Sequence, residues 1–227
     1  MPETRSALIA GVGDGVSASL ARLLAREGYD VALAARDPGK LSALAAETKA
    51  SVHACDVSQV QEVEALFSGL PRGRDVVIYN PSYRTRGPLI ELDPEEVRRT
   101  LEVCAFGAFL VAQQAARHML ARGSGTIIFT GASAGVRGFA RSAPFAMGKF
   151  ALRGLAQSMA RELHPQNIHV GHVVIDGGIR SSRRVDEPGA DKLLDPDAIA
   201  QSYLHLINQP RSSWSWEIEV RPWVEGF

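Results

Sequence analysis

The chain has 227 residues, of which 45% are hydrophobic, and its 25 Lys and Arg residues balance 25 Asp and Glu residues. A chain of this length and composition can bury a full core, which argues against wholesale disorder. The formal net charge of zero argues against nucleic acid as the main partner, because no basic excess exists to displace counterions from a phosphate backbone.

Short apolar runs alternate along the chain with longer segments of helical periodicity. The first helix is predicted over residues 16–27, and Gly28 follows it as a C-terminal cap. Asp37, Asp93 and Asp195 each precede a proline, which predicts a helix N-terminus at each position. Long helices are predicted at about 94–121 and 143–163, and strands at 6–10, 31–35, 52–55, 75–79, 126–130, 168–175 and 216–220.

The predicted strands are nearly continuous apolar runs, which is typical of strands that helices cover on both faces. A strand followed by a helix, repeated along the chain, predicts a parallel sheet with right-handed crossovers. We therefore expect an α/β fold with a doubly wound parallel sheet (a Rossmann fold) in three α/β/α layers, built as one domain over residues 1–227. The least regular stretch, residues 177–194, is predicted to be a functional or mobile loop.

A glycine-rich turn lies between the first strand and the first helix. Gly11, Gly13 and Gly15 allow a tight turn and a close approach of main-chain N–H groups to a pyrophosphate. The helix that begins at Val16 favours negative charge at its N-terminus. In a strand–turn–helix unit this pattern predicts dinucleotide binding. The alternative is a tight turn in an α/β protein that binds another ligand.

The end of the second strand discriminates between the two nicotinamide cofactors. An acidic residue there would hold the ribose hydroxyls of NAD(H), whereas Arg36 matches the geometry and charge of a 2′-phosphate. Asp37 would favour NAD(H), but we interpret it as the helix N-cap. The sequence therefore favours NADP(H) over NAD(H).

With these motifs the chain resembles the short-chain dehydrogenase/reductase family over nearly its whole length. Besides the glycine turn, the matching residues are Asp56 and Val57 after the third strand, Asn80 after the fourth, and Lys149 in the helix after the fifth. The resemblance implies that Asp56 holds the adenine amino group, that Asn80 steadies the sheet edge near the adenosine ribose, and that Lys149 holds the nicotinamide ribose hydroxyls. It also implies a homodimer or homotetramer built on the two long helices.

Four positions depart from the family's pattern. Phe145 stands four residues before Lys149, where the family has its catalytic tyrosine. Ala132 and Cys104 stand at the positions of the family's serine and assisting asparagine, and Ser17 replaces the third glycine of the turn. The resemblance therefore implies an active site in which the Asn-Ser-Tyr-Lys tetrad is reduced to Lys149.

Several groups are candidates to replace the missing tyrosine. Tyr83 is predicted to lie at the carboxyl end of the sheet, and Ser133 and Ser142 flank the active-site loop. Lys149 would act directly if it were desolvated, because burial lowers the pKa of an ammonium group. The structural alternatives are a loop-packing aromatic for Tyr83 and turn or cap residues for the serines. A pocket with so few donors suits an activated alkene or an iminium substrate.

Two sets of residues receive structural interpretations. Cys55 and Cys104 are too few for a disulfide framework and lack metal-ligand spacing, so no metal site is predicted. Arg180, Arg183 and Arg184 are interpreted as a solvated lid within the 177–194 loop, and contact with an anionic substrate is the alternative.

The expected protein is an NAD(P)(H)-dependent oxidoreductase with a non-standard active site, acting on a small-molecule substrate. The alternatives are an inactive NADP(H)-binding sensor or partner protein, and a non-redox lyase or epimerase on the same fold. The polar N-terminus and the lack of a long apolar run favour a cytoplasmic protein with no membrane partner.

Overall fold

A computed structural model describes residues 4–70, 74–182, 184–187 and 190–225, so that Arg183 of the predicted lid lies outside the described residues. The strands are β1 (Ser6–Ala10), β2 (Asp30–Ala35), β3 (Ser51–Ala54), β4 (Val76–Tyr79), β5 (Gly125–Thr130), β6 (Ile168–Ile175), β7 (Gly178–Ile179), β8 (Leu193–Leu194) and β9 (Glu217–Val220). The central sheet has seven strands in the order β3-β2-β1-β4-β5-β6-β9, all parallel. This confirms the predicted doubly wound sheet.

Helices cover both faces of the sheet. They are α1 (Val16–Arg26), α2 (Ser42–Thr48), α3 (Val60–Gly69), α4 (Pro94–Leu101), α5 (Gly107–Arg122), α6 (Ala143–Leu163) and α7 (Pro196–Ile207). On one face α3, α5 and α6 pack around Phe67, Val111 and Leu152. On the other, α1 and α7 bury Leu20 and Tyr203. The three predicted layers are therefore present, each face with its own hydrophobic core.

The predicted strand bounds agree with the structure to within one residue. Where they differ, main-chain pairing rather than side-chain character determines the first residue of the strand. Asp30 begins β2 because it pairs with Ser6 of β1, although its side chain is exposed. At the end of α1, Gly28 has a φ of +81°, as the C-terminal cap prediction requires.

The predicted helix 94–121 was wrong as one continuous element. A π-helical turn over Glu102–Phe106 separates α4 from α5. The Tyr79 hydroxyl donates a hydrogen bond to the Val103 carbonyl in this wider turn, and a Cβ on Gly107 would lie 2.8 Å from the Val57 carbonyl oxygen. The π-helical turn therefore coincides with tertiary contacts to β4. Hydrophobic periodicity along the sequence does not reveal such contacts, so it did not predict the turn.

The three predicted N-caps have different outcomes. The Asp93 and Asp195 side chains each accept a hydrogen bond of 2.9 Å from the main-chain N–H two residues later. Asp37 precedes only a 3-10 turn, Pro38–Leu41, and its side chain makes no capping bond. Its carboxylate instead lies 3.1 Å from the Lys40 ammonium. Asp37 therefore stands at the predicted N-cap position of a turn that leads directly into α2, but its side chain does not cap it.

The 177–194 loop has more regular structure than its sequence predicts. Its two ends form a short parallel ribbon in which Gly178 pairs with Leu193 and Ile179 with Leu194. An ion pair of 2.5 Å joins Arg180 to Asp195 beside this ribbon. The described ends of the loop are thereby tied to each other next to the carboxyl end of β6.

Candidate active site

A cleft lies along the carboxyl ends of the parallel strands. It consists of a larger cavity of about 1140 Å³ and a smaller cavity of about 410 Å³. Gly13, Asn80 and Ser82 line both cavities, so the two are adjacent. Open parallel sheets bind ligands at this edge, where the strand order reverses, and the cleft is therefore the candidate site.

The three glycines of the turn have different structural roles. Gly11 has a φ of +79°, and a Cβ there would lie 2.5 Å from the Pro81 nitrogen, so only glycine fits. A Cβ on Gly13 or Gly15 would meet no described atom within 4 Å, although both residues line the larger cavity. The open space beside Gly13 and Gly15 is a cradle that fits the pyrophosphate of a dinucleotide.

The first turn of α1 borders this cradle. Val16 and Ser17 line the larger cavity. The N-cap residue Gly15 offers no side-chain acceptor, and the first turn of the helix contains no acidic residue. The first main-chain N–H groups of α1, at the positive end of the helix dipole, are therefore suited to bind an anion.

Ser17, at the position of the family's third glycine, is a buried hydrogen-bonding residue. Its hydroxyl donates to the Gly11 carbonyl oxygen at 2.9 Å and accepts from Asn80 Nδ2 at 2.5 Å. Asn80 Nδ2 also lies 3.3 Å from the Gly11 carbonyl oxygen. This network ties the glycine turn to the end of β4. Serine in place of the family's third glycine therefore adds hydrogen bonds that hold the turn.

The smaller cavity carries exposed charges at the ends of β2 and β3. Arg36, Asp56 and Val57 line it, as the resemblance implies for an adenosine site. The Asp56 carboxylate is held by Ser58, whose main-chain N–H and hydroxyl donate to it at 3.0 and 2.7 Å. Lys40 lines the same cavity and was not identified from the sequence. Its position four residues after Arg36 is the only signal that would have indicated it.

Lys149 is the buried cation of the larger cavity. Its side chain is on α6, and Nζ donates to the Thr130 carbonyl oxygen at 2.8 Å. The residue is 2% exposed, and this burial lowers its pKa. An ammonium group has two further N–H donors after this bond, which suits it to hold ribose hydroxyls.

Phe145 lies one helical turn before Lys149 in an apolar corner of the cavity. It packs with Cys104 and Ala134, and Ala132 is partly buried against the same cluster. The Lys149 ammonium lies 5.8 Å from the centroid of the Phe145 ring. Phe145, Ala132 and Cys104, which are far apart in the sequence, therefore belong to one cluster that contains no side-chain hydroxyl.

Two serines border this corner. Ser133 begins the 3-10 turn Ser133–Gly135 and lines the larger cavity together with Lys149 and Phe145. Ser142 also lines that cavity and is 2% exposed. Among the described residues its hydroxyl oxygen has no hydrogen-bond partner. Both serines therefore line the same cavity as Phe145 and Lys149.

Tyr83 lies at a different place from the other predicted catalytic residues. It lines the smaller cavity and not the larger one. Its hydroxyl donates to Glu96 at 2.6 Å, a hydrogen bond that raises the pKa of Tyr83, and the Arg99 guanidinium lies 4.6 Å from the ring centroid. The structure thus brings Lys149 and Ser133 together and leaves Tyr83 apart from them.

Comparisons with known proteins agree on one family. A sequence model of the family described as short chain dehydrogenase matches residues 5–187. The chain is 28% identical over 219 residues to carbonyl reductase family member 4 from Xenopus tropicalis, covering 91% of this chain and 92% of that protein.

Two solved structures extend the similarity to the whole fold. A short-chain dehydrogenase from Rhodopseudomonas palustris is 35% identical with a TM-score of 0.85, covering 98% of this chain and 100% of that one. A metagenomic short-chain oxidoreductase in complex with NADP is 30% identical with a TM-score of 0.84, covering 96% and 97%. In the part of the chain that the structure describes, no helix is both long and apolar enough to cross a membrane.

Proposed function

The chain belongs to the short-chain dehydrogenase/reductase family, and from this premise we propose that it is an NADP(H)-dependent oxidoreductase acting on a small molecule. The observation that carries the proposal is the cleft, which joins the glycine turn to buried Lys149. When bound, the nicotinamide ring would supply or accept a hydride.

Lys149 is assigned to the nicotinamide ribose. Its hydrogen bond to Thr130 fixes the ammonium at the wall of the larger cavity and leaves two donors for the ribose hydroxyls. Burial lowers its pKa, which makes the ammonium a readier proton donor than a solvated lysine. Lys149 would therefore position the cofactor and hold a proton close to the reacting atoms.

Ser133 is assigned to the substrate, because it lines the same cavity and carries a hydroxyl. Phe145 offers no proton, and loss of one positioned acid typically slows a reaction by about 10²- to 10⁴-fold. We do not assign catalysis to Tyr83, since Glu96 engages its hydroxyl in the smaller cavity. The expected substrate is an activated alkene or an iminium rather than a simple ketone.

The preference for NADP(H) is supported by two cations at the smaller cavity. Arg36 and Lys40 both line it and both are exposed. A 2′-phosphate placed between them would gain charge-assisted hydrogen bonds. Asp37, which would favour NAD(H), lines the same cavity and lies 3.1 Å from Lys40, so the phosphate would replace it as the partner of Lys40.

A homo-oligomer is supported by exposed apolar side chains on the two long helices. Phe106 and Phe109 stack with ring centroids 6.4 Å apart at the start of α5 and are 46% and 41% exposed. Met147 and Phe150 of α6 are similarly exposed. Clustered apolar surface of this kind is typical of an interface between subunits.

The test is to titrate NADPH and NADH separately into the purified protein while following cofactor fluorescence. A panel of ketones, enones and imines is then added, and absorbance of the reduced cofactor is recorded. Tight binding of NADPH with oxidation by an enone or imine is the expected result. A Lys149→Met variant should bind NADPH at least about tenfold more weakly. Failure of the protein to bind either cofactor would contradict the proposal.

A second candidate function is an inactive NADP(H)-binding sensor or partner protein. The apolar cluster of Phe145, Cys104 and Ala134 favours it, because these residues supply no side-chain hydroxyl where the family's proton relay would lie. Tight NADPH binding without oxidation by any member of the panel would favour this function over the oxidoreductase.

A further inference from the structure

Part of the larger cavity is positively charged at a place that the dinucleotide cradle does not explain. Arg84 and Arg86, which follow β4, and Arg141, which precedes α6, line it, as do Arg180 and Arg184 of the 177–194 loop; we call the first three residues the arginine wall. The Gly87 main-chain N–H donates to the Arg141 carbonyl oxygen at 3.1 Å, so the two segments are joined. Asp14 is the single acidic side chain among the described residues that line this cavity.

None of the three arginines of the wall has a carboxylate partner among the described residues, whereas Arg180, which lines the same cavity, pairs with Asp195 at 2.5 Å. Arg153 pairs with Glu217 at 2.7 Å, and Arg74 pairs with Asp30 at 2.6 Å. Like charges gathered without a counter-charge repel one another. An anion entering the cavity would relieve this repulsion.

Arg84 places the wall at the reactive end of the cleft. Its guanidinium lies 4.7 Å from the centroid of the Phe145 ring, and Phe145 is one turn before Lys149. Partial burial, with Arg86 and Arg184 nearby, lowers the pKa of Arg84. The charge of Arg84 therefore lies against Phe145, one helical turn before Lys149, which is assigned to the nicotinamide ribose.

We propose that the arginine wall binds the oxyanion group, carboxylate or phosphate, of an anionic substrate and thereby sets the reducible group of that substrate beside Phe145. This inference rests on the proposed oxidoreductase function, whose substrate class it specifies. Guanidinium groups match the geometry of oxyanions. The apolar surface of Phe145 and Ala132 would contact the carbon skeleton.

Binding is tested on the NADPH-loaded protein by isothermal titration with cinnamate, phenyl phosphate and cinnamamide. Cinnamamide has the carbon skeleton of cinnamate without its charge. At least one of the two anions should bind at least about tenfold more tightly than cinnamamide, and its affinity should fall as salt is added. The anion that binds more tightly shows whether the wall prefers a carboxylate or a phosphate. Equal or tighter binding of cinnamamide would overturn the proposal.

A double variant, Arg86→Gln with Arg141→Gln, tests the assigned residues. The affinity for the preferred anion should fall about tenfold or more, while the affinities for cinnamamide and NADPH stay unchanged. Arg84 is left in place because it packs on Phe145. The matched control is Arg26→Gln, in the last turn of α1 and about 15 Å from the turn that lines the cavity. An equal loss of NADPH affinity in the double variant would assign the wall to the cofactor and overturn the proposal.

The proposed function and this inference fail in different ways. Preferential binding of the anion without NADPH oxidation by any substrate would contradict the oxidoreductase and support the anion site. Reduction of neutral enones, with no preference for an anion, would support the oxidoreductase and overturn the anion site.

Discussion

The two ends of the cleft carry charge in opposite ways. At the smaller cavity, Arg36 and Lys40 are exposed to solvent. At the reactive end of the larger cavity, Lys149 is buried on α6 and His172 on β6 is fully buried, although the three arginines of the wall are exposed. Exposed charges are screened by water and cost the fold little, whereas buried ones must be accommodated by the surrounding packing.

His172 illustrates the constraint at the reactive end. Its Nδ1 lies 2.9 Å from Glu217, and its Nε2 is buried with no partner among the described residues. A Cβ on Gly131, which lines the larger cavity, would lie 2.4 Å from that nitrogen. The exposed residues of the smaller cavity, which we propose to contact the cofactor, are therefore separable from folding, whereas Lys149 and His172 are part of the core.

Gly11→Ala is expected to have the largest effect on stability. Gly11 lines the smaller cavity, but the fold requires glycine at this position. Its positive φ and the contact with Pro81 predict a loss of about 2–4 kcal/mol in the free energy of unfolding, with weaker NADPH binding. Gly13→Ala is the matched control. It should weaken NADPH binding at nearly unchanged stability, and chemical denaturation with fluorescence titration measures both. Equal stability of the two variants would contradict the prediction.

Phe145→Tyr tests whether the missing hydroxyl limits ketone reduction at the reactive end. The ring keeps its place beside Lys149 and gains a hydroxyl, so ketone reduction with NADPH should rise by about 10- to 100-fold. Phe150→Tyr, on the exposed side of the same helix, should leave the rate unchanged. Steady-state kinetics with a ketone substrate provides the measurement. An unchanged rate in Phe145→Tyr would show that the missing hydroxyl is not what limits ketone reduction.

Arg36→Gln combined with Lys40→Gln addresses the adenosine end. Because both side chains are exposed, the free energy of unfolding should change by less than about 0.5 kcal/mol. The affinity for NADPH should fall about tenfold, while the affinity for NADH stays the same. Parallel loss of affinity for both cofactors would mean that these cations do not select the 2′-phosphate.

His172→Gln tests the smallest effect, the pH dependence of stability. Burial, which outweighs the contact with Glu217, lowers the pKa of His172 below 6.5. In the pH range just below 6.5 the unfolded chain therefore binds more protons than the folded chain at this site. Stability should fall as the pH drops through this range, by up to about 1.4 kcal/mol per pH unit.

The variant should have a shallower dependence of stability on pH between 6.5 and the lowered pKa. Denaturation series at several pH values measure the slope. His169, whose pKa burial also lowers, maintains part of the dependence in both proteins. A slope identical in the two proteins would contradict the assignment to His172.

Local interactions explain the parts of the fold that were predicted correctly. Apolar runs gave the strands to within one residue, and the Asp-Pro pairs at Asp93 and Asp195 gave true helix caps. The same pair at Asp37 marks the start of a 3-10 turn, but the Asp37 side chain contacts Lys40 and makes no capping bond. The π-helical turn at Glu102–Phe106 was missed because its contacts come from β4 and the end of β3.

The amino-acid sequence was sufficient for the doubly wound fold and the glycine turn, because these depend on short-range periodicity and spacing. The resemblance to the family indicated Phe145, Ala132 and Cys104 as neighbours of Lys149. The three-dimensional fold was needed to separate Tyr83 from Lys149, to place Lys40 on the same cavity as Arg36, and to bring Arg84 against Phe145. These relations join residues that are distant in sequence or lie on different turns. They arise because parallel strands direct every following loop to the same edge of the sheet.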